Sequence, residues 1–155
     1  MKSAQKDQVI QILATGFGAG LSPVAPGTAG TLVGLVICLL SYPLAWPLRL
    51  VYVVAISAVS IYVAGQAEKF YGKTDDQRIV IDEIAGVQVT MLPVAITGLH
   101  LLLAFVLFRI FDIWKPFPLN RFQKFPGGWG VVADDLGAGV YGGLVLFLLK
   151  LTGVL

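Results

Sequence analysis

Charged residues are scarce in this chain. They make up 13% of its 155 residues, whereas 57% of the residues are hydrophobic. A typical water-soluble domain has about a quarter of its residues charged. The composition is therefore that of a membrane protein, and the length predicts one small domain. The net charge of +2 is too small to indicate binding to nucleic acid, and the sequence contains no nucleic-acid-binding motif.

Cysteine occurs only once, which excludes a disulfide framework. Cys38 also lacks the arginine that a cysteine-dependent phosphatase needs six residues further on, because Leu44 occupies that position. Since Cys38 lies in an apolar run, we interpret it as a packing residue. The N-terminal stretch MKSAQKDQVIQILATGFG has no long apolar run before a cleavage site, so we expect mature protein rather than a signal peptide.

Long apolar runs dominate the rest of the chain. Five apolar helical segments are predicted, at residues 31–46, 48–65, 79–97, 99–114 and 131–155. A helix that crosses a bilayer needs about 20 apolar residues, and its backbone must satisfy its own hydrogen bonds. We therefore predict an all-α, small multi-pass membrane bundle, with the segment 79–97 short or half-buried.

The predicted organisation is one domain over residues 1–155. Residues 1–30 form an N-terminal cytoplasmic or interfacial segment with a Gly-rich loop, and residues 31–155 form the helical bundle.

Basic residues are distributed unevenly if the N-terminus is inside and the chain crosses five times. The inside then holds nine of the eleven Lys and Arg residues: Lys2, Lys6, Lys69, Lys73, Arg78, Arg109, Lys115, Arg121 and Lys124. Only Arg49 and Lys150 lie outside, which is a clear positive-inside bias. The same topology places five unusual acidic residues near the cytoplasmic face: Asp82, Glu83, Asp112, Asp134 and Asp135. His100 is expected on the far side, which disfavours phosphohistidine chemistry.

Carboxylates within apolar segments are costly unless they are paired, bound to a metal or facing a wet cavity. Each acidic pair can also be explained as a helix start that the helix dipole favours. Because hard cations such as Mg²⁺ prefer oxygen ligands, we predict a magnesium site. The candidate catalytic residues are Asp82, Glu83, Asp134 and Asp135. The candidate metal ligands are Glu83, Asp112, Asp134 and Asp135.

The sequence Arg109-Ile-Phe-Asp112-Ile-Trp-Lys115 has charges at a spacing of three. On a helix this spacing puts Arg109 beside Asp112, and Asp112 beside Lys115. One interpretation is a structural ion pair, with Lys115 extending to the membrane interface. The other is that Arg109 and Lys115 bind a phosphate while Asp112 binds the metal.

The glycine-rich stretch GFGAGLSPVAPGTAG, residues 16–30, lets backbone N–H groups approach an anion closely. Thr28 is expected to cap the first spanning helix, whose N-terminus would then favour a phosphate. The candidate phosphate-binding residues of this stretch are Ser22, Gly27 and Thr28. The alternative is a loop that enters the membrane and ends in a helix cap.

Four sequence blocks together resemble a known family. GFGAGLSPVAPGTAG, IVIDEIAG, FRIFDIWKPFPL and GGWGVVADDLGAGV are similar, in order and spacing, to the signature blocks of phosphatidylglycerophosphatase A. The resemblance covers roughly residues 10–150. It implies a Mg²⁺-dependent lipid phosphatase of the bacterial inner membrane that converts phosphatidylglycerophosphate to phosphatidylglycerol and phosphate. The implied partners are that lipid substrate and the surrounding membrane lipids.

Taken together, the sequence predicts metal-assisted hydrolysis of a lipid phosphomonoester at the cytoplasmic face. The alternatives are an ion-coupled small membrane transporter and a non-catalytic membrane scaffold, because acidic residues within a membrane also serve ion pathways. A CDP-alcohol phosphotransferase is disfavoured because its Asp-Gly-x-x-Ala-Arg motif is missing.

Overall fold

The computed structural model describes residues 2–41 and 43–153, and the regular secondary structure of these residues is helical throughout. The α-helices are α1 (Lys2–Ala14), α2 (Pro26–Cys38), α3 (Trp46–Tyr71), α4 (Ile81–Met91), α5 (Gly98–Trp114), α6 (Leu119–Phe122) and α7 (Gly128–Leu151). The all-α prediction is confirmed. Met1, Tyr42, Val154 and Leu155 belong to the predicted ranges but lie outside the described residues, as does the side chain of Lys2.

Within the described residues, two helices are long and apolar enough to cross a membrane. They are α3, with 26 residues, and α7, with 24. The prediction of about five such segments is wrong in number, because α2, α4 and α5 have only 13, 11 and 17 residues. The apolar runs in the sequence are longer than the helices because they include apolar residues of the turns. The run 79–97, for example, contains α4 but leaves the helix after Met91 and continues through Pro93.

The short helix α4 lies at the centre of the bundle, in contact with α2, α3, α5 and α7. Nine of its eleven residues are buried: Ile81, Asp82, Ile84, Ala85, Gly86, Val87, Gln88, Thr90 and Met91. A helix that is apolar on all sides is buried either in protein or in lipid. Here the surrounding helices explain the apolar composition of α4. The backbone N–H and carbonyl groups at its two ends have no partners within the helix, so other parts of the protein must bind them.

Glycines let α2 and α7 approach α4 closely. A Cβ atom at Gly34 of α2 would lie 2.5 Å from Val87 Cγ1, and one at Gly139 of α7 would lie 2.3 Å from the Gly86 carbonyl oxygen. Any larger residue at these positions would push the helices apart. The close packing fixes where the first turn of α4 lies relative to α2 and α7.

Arg49 satisfies the C-terminal end of α4. Its guanidinium donates hydrogen bonds to the carbonyl oxygens of Met91 at 2.9 Å and Val94 at 3.1 Å. Lys150 Nζ makes a longer contact, 3.5 Å, with the Pro93 carbonyl oxygen. The last carbonyls of a helix have no partner within the helix and carry partial negative charge, so a cation stabilises them. The basic and acidic groups thus lie at opposite ends of α4.

Replacing Arg49 by methionine is expected to destabilise the protein by about 1–3 kcal/mol, because two carbonyl groups lose a charged donor. We expect a lower melting temperature in detergent and unchanged turnover per folded molecule. Lys150→Met is the control, since its single long contact predicts a much smaller shift. Equal melting temperatures for the wild type and Arg49→Met would contradict this account of α4.

Candidate active site at the N-terminal end of α4

Three carboxylates converge at the start of α4. Asp82 and Glu83 lie in the first turn of α4, and Asp135 projects from α7. One carboxylate oxygen from each residue lies within 4.8 Å of the other two. Two of these residues are deeply buried, since Asp82 is only 7% exposed and Asp135 only 3%. Asp82, Glu83 and Asp135 are called the carboxylate trio below.

The carboxylate trio lacks partners for several of its oxygens. Asp82 Oδ1, Glu83 Oε2 and Asp135 Oδ2 are buried and have no hydrogen-bond partner among the described residues. Unpaired carboxylates in an apolar environment repel one another and are costly to bury. A divalent cation would remove this cost, and an all-oxygen donor set is the kind that Mg²⁺ prefers. The residues present therefore fit a hard divalent cation.

Arg109 of α5 lies between the carboxylate trio and Asp112. Its Nη1 donates to Asp112 Oδ2 at 2.5 Å and is 3.9 Å from Glu83 Oε1. The prediction that the spacing of three brings Arg109 and Asp112 together is confirmed. Arg109 Nε is buried and has no partner among the described residues. The Nε–H group of Arg109 is therefore a free hydrogen-bond donor beside the trio, among the described residues.

Lys115 follows the last residue of α5 and turns back toward α7. Its Nζ donates to Asp134 Oδ2 and lies 3.9 Å from Asp112 Oδ1. Its backbone has a φ of 45°, in the left-handed region that non-glycine residues rarely adopt. Burial alone would lower the pKa of Lys115. The hydrogen bond and charge of Asp134, together with the charges of Asp135 and Asp112, outweigh burial and raise this pKa, so the ammonium stays charged.

The N-terminus of α2 also adjoins the carboxylate trio. A Cβ atom at Gly27 would lie 2.2 Å from Glu83 Oε1 and 3.1 Å from Arg109 Nη1. The prediction that Thr28 caps this helix is wrong. The cap position is Ala25 and Pro26 begins the helix, because proline suits the first turn, where no N–H partner is needed. Thr28 lies in the first turn, where backbone N–H groups have no partner within the helix.

The predicted site residues thus fall into groups. Glu83 and Asp135, two of the four candidate metal ligands, lie together with Asp82 in the trio. The other two, Asp112 and Asp134, contact the cations Arg109 and Lys115. Ser22 bonds within its own loop, since its Oγ donates to the Val24 carbonyl at 2.8 Å. A role for Ser22 in binding phosphate stays a prediction.

Sequence reasoning missed two acidic residues of the loop between α3 and α4. Asp76 is buried and accepts hydrogen bonds from Arg78 Nε at 2.7 Å and Nη2 at 3.0 Å. The Arg78 guanidinium lies 3.9 Å from the centre of the Tyr71 ring. Asp75 lies in the same loop, and its backbone N–H donates a hydrogen bond to Glu68 Oε1 at 3.0 Å. The spacing of Asp76 and Arg78 could have indicated their ion pair, but the polar sequence of the loop gave no reason to expect that Asp76 is buried.

Asp76 is expected to make the stability of this loop sensitive to acid. The hydrogen bond from Arg78 lowers the pKa of Asp76 below its ordinary value. A depressed folded-state pKa contributes stability at neutral pH that is lost as the pH falls through that pKa. Melting temperatures measured from pH 7 to pH 3 should therefore fall less in Asp76→Asn than in the wild type. Parallel pH profiles would contradict the assignment.

A helical bundle that holds three acidic side chains beside an arginine and a helix N-terminus has the groups with which proteins bind phosphate esters. Comparison with known proteins identifies the family. Residues 12–150 match the family model described as Phosphatidylglycerophosphatase A. The chain belongs to the phosphatidylglycerophosphatase A family, and it is a phosphatase.

Three bacterial relatives are similar over most of their length. A protein of Bacteroides thetaiotaomicron, named provisionally as a phosphatidylinositol-3-phosphatase, is 40% identical over 139 residues, covering 84% of this chain and 86% of that protein. Phosphatidylglycerophosphatase A of Escherichia coli is 36% identical over 89% of this chain and 81% of its own. The Haemophilus influenzae enzyme of the same name is 36% identical over 91% and 88%. No solved structure matches the chain.

Proposed function

We propose that this protein removes the terminal phosphate of phosphatidylglycerophosphate, giving phosphatidylglycerol and inorganic phosphate. Family membership and two relatives of that name support the reaction. The observation that carries the proposal is the buried carboxylate trio, whose unpaired oxygens lie beside Arg109 and the N-terminus of α2. Together these groups provide a place for a cation, a phosphate and a water molecule.

Asp82, Glu83 and Asp135 would hold Mg²⁺, which when bound neutralises charge on the phosphate oxygens. The residues of the chain supply the rest of the chemistry. Arg109 donates to the phosphate from its unused N–H groups, and the first amides of α2 add their dipole. A carboxylate of the trio orients the attacking water and accepts its proton. The water oxygen forms a bond to phosphorus as the bond to the glycerol oxygen breaks, and the leaving glycerol oxygen takes up a proton from solvent.

The proposed location is the bacterial inner membrane, with several helices embedded and the carboxylate trio facing the cytoplasm. The lengths and apolar character of α3 and α7 support embedding. Exposed apolar side chains continue along the shorter helix α5, where Leu99, Leu102, Val106, Ile110 and Ile113 are all exposed. Arg49 and Lys150 lie at the end of α4 opposite the trio, which agrees with a positive-inside orientation.

The alternative of an ion-coupled transporter is not favoured by the arrangement of acids. Asp82 and Glu83 open α4, Asp134 and Asp135 lie near the start of α7, and Asp112 lies near the end of α5. All five therefore gather at one end of the bundle, whereas a transport pathway needs polar groups at successive depths. His100, near the start of α5, lies at the other end of that helix from Asp112.

The substrate is tested by phosphate release from a panel of lipids in detergent with Mg²⁺ present. Phosphatidylglycerophosphate is expected to be hydrolysed fastest. Phosphatidylinositol 3-phosphate is the second candidate, because the relative with 40% identity carries a name of that type. Both lipids carry a phosphodiester and a phosphomonoester on a polyol headgroup. Faster hydrolysis of the inositol lipid would replace the proposed substrate, and no release from either would reject the proposal.

A further inference from the structure

Two cations reach the candidate site from different sides of one carboxylate. Arg109 lies on the side of the carboxylate trio, since its Nη1 is 3.9 Å from Glu83 Oε1. Lys115 lies on the side of Asp134, and its Nζ is 3.9 Å from Asp112 Oδ1. Asp112 turns Oδ2 toward Arg109 and Oδ1 toward Lys115. The carboxylate group of Asp112 therefore separates the two cations.

Each cation has N–H donors without a partner among the described residues. The guanidinium of Arg109 has five N–H bonds, and its Nε is buried without a partner among the described residues. The ammonium of Lys115 has three, of which Asp134 takes one and Asp112, at 3.9 Å, at most a weak second. Both cations can donate a hydrogen bond to a further anionic oxygen without breaking the contacts that hold them.

Exposed aromatic residues flank Lys115. Its neighbour Trp114 is 70% exposed and Phe117 is 67% exposed, at the end of an apolar helix. Exposed aromatic residues at the end of such a helix are typical of the membrane interface. The phosphodiester of a bilayer lipid lies at this level, whereas Arg109 lies inside the bundle beside the trio.

We infer that Lys115 binds the phosphodiester of the lipid while Arg109 and the start of α2 bind its terminal phosphate; this inference rests on the function proposed above. A glycerol unit separates the two phosphates, as the carboxylate group of Asp112 separates the two cations. The site then fits polyol lipids that carry both a phosphodiester and a phosphomonoester. Asp112 and Asp134 position the two cations, and Lys115 determines specificity.

The test compares two water-soluble headgroups as competitive inhibitors of phosphatidylglycerophosphate hydrolysis. Deacylated substrate, glycerophosphoglycerophosphate, contains both phosphates, whereas glycerol 3-phosphate contains only the phosphomonoester. We expect the wild type to bind the first at least about tenfold more tightly, because one additional charge-assisted contact has that magnitude. In Lys115→Gln the advantage should fall below about threefold, whereas Arg109→Gln should weaken both inhibitors.

Two control variants make the comparison specific. Lys115→Arg keeps the positive charge and should retain the advantage of the larger headgroup. Lys69→Gln removes an exposed lysine at the end of α3 and should leave the ratio of inhibition constants at the wild-type value. An unchanged ratio in Lys115→Gln would overturn the inference, as would the same loss of advantage in Lys69→Gln.

The outcome does not depend on one variant. Lys115→Gln leaves the buried Asp134 without its cation, and it can fail to fold for that reason. The inhibition constants of the wild type are then the test. Equal constants for the two headgroups overturn the inference, and a tenfold difference supports it. If the wild type releases no phosphate from phosphatidylglycerophosphate, the proposed function fails instead, which is a different result.

Discussion

Asp135→Asn is expected to lower kcat/KM by more than about a hundredfold, since losing a direct ligand should exceed the effect of losing a second-layer contact. Asp135 is 3% exposed and contributes one of the three oxygens that lie within 4.8 Å of one another. The substitution keeps the size of the side chain and removes its charge. Phosphate release and the affinity for Mn²⁺, followed by electron paramagnetic resonance, should fall together.

The same variant should be at least as stable as the wild type when a chelator is present. Without a cation, the carboxylate trio is a set of like charges in a buried environment, and removing one of them relieves repulsion. Asp7→Asn, at an exposed position of α1, is the matched control and should change neither Mn²⁺ binding nor stability. Normal Mn²⁺ affinity in Asp135→Asn, or a marked loss of stability in chelator, would show that Asp135 has a structural role instead.

Gly27→Ala is expected to reduce kcat by roughly a hundredfold while the fold is retained. The added methyl group would lie 2.2 Å from Glu83 Oε1 and 3.1 Å from Arg109 Nη1, so both side chains must shift. A displacement of about 1 Å at reacting groups can cost this much in rate. Because both atoms belong to the ends of long side chains, the helices themselves need not move. Turnover and melting temperature should be measured on the same preparation.

Gly98→Ala is the matched control for Gly27→Ala. Gly98 begins α5, and a Cβ atom there would meet no atom within 4 Å. Alanine is also the better helix former, so this change should be neutral or slightly stabilising. If Gly27→Ala behaved like Gly98→Ala in turnover, the N-terminus of α2 would have no close relation to the reacting groups.

The helical class of the fold follows from the sequence, but the number of membrane-length helices does not. The run 79–97 shows why. Burial by other helices and burial by lipid select the same apolar residues, so composition cannot separate a central helix such as α4 from a spanning one. The start of α2 was misplaced for a local reason, since Thr28 looked like a cap and Pro26 had already begun the helix.

The sequence indicated which residues belong to the candidate site, but it did not indicate which of them contact one another. The spacing of three correctly paired Arg109 with Asp112, because both lie on one helix. That Asp135 would meet Asp82 and Glu83, and that Asp134 would meet Lys115, depends on how α7 packs against α4 and α5. Gly139 allows that packing because a Cβ atom there would collide with the Gly86 carbonyl oxygen. The GxxxG spacing of Gly139 and Gly143 indicates a close approach, but it does not show which helix is approached. Asp76 was missed for another reason, since it lies in a polar loop where burial was not expected.

The most direct test of this account is phosphate release from phosphatidylglycerophosphate before and after the divalent cation is removed. Purified protein in detergent should lose its activity in excess chelator and recover it when Mg²⁺ is added beyond the chelator. A parallel melting curve should show that Mg²⁺ raises the melting temperature of the wild type, because a ligand that binds only the folded state stabilises it. Full activity in excess chelator, with no effect of added Mg²⁺, would contradict the account.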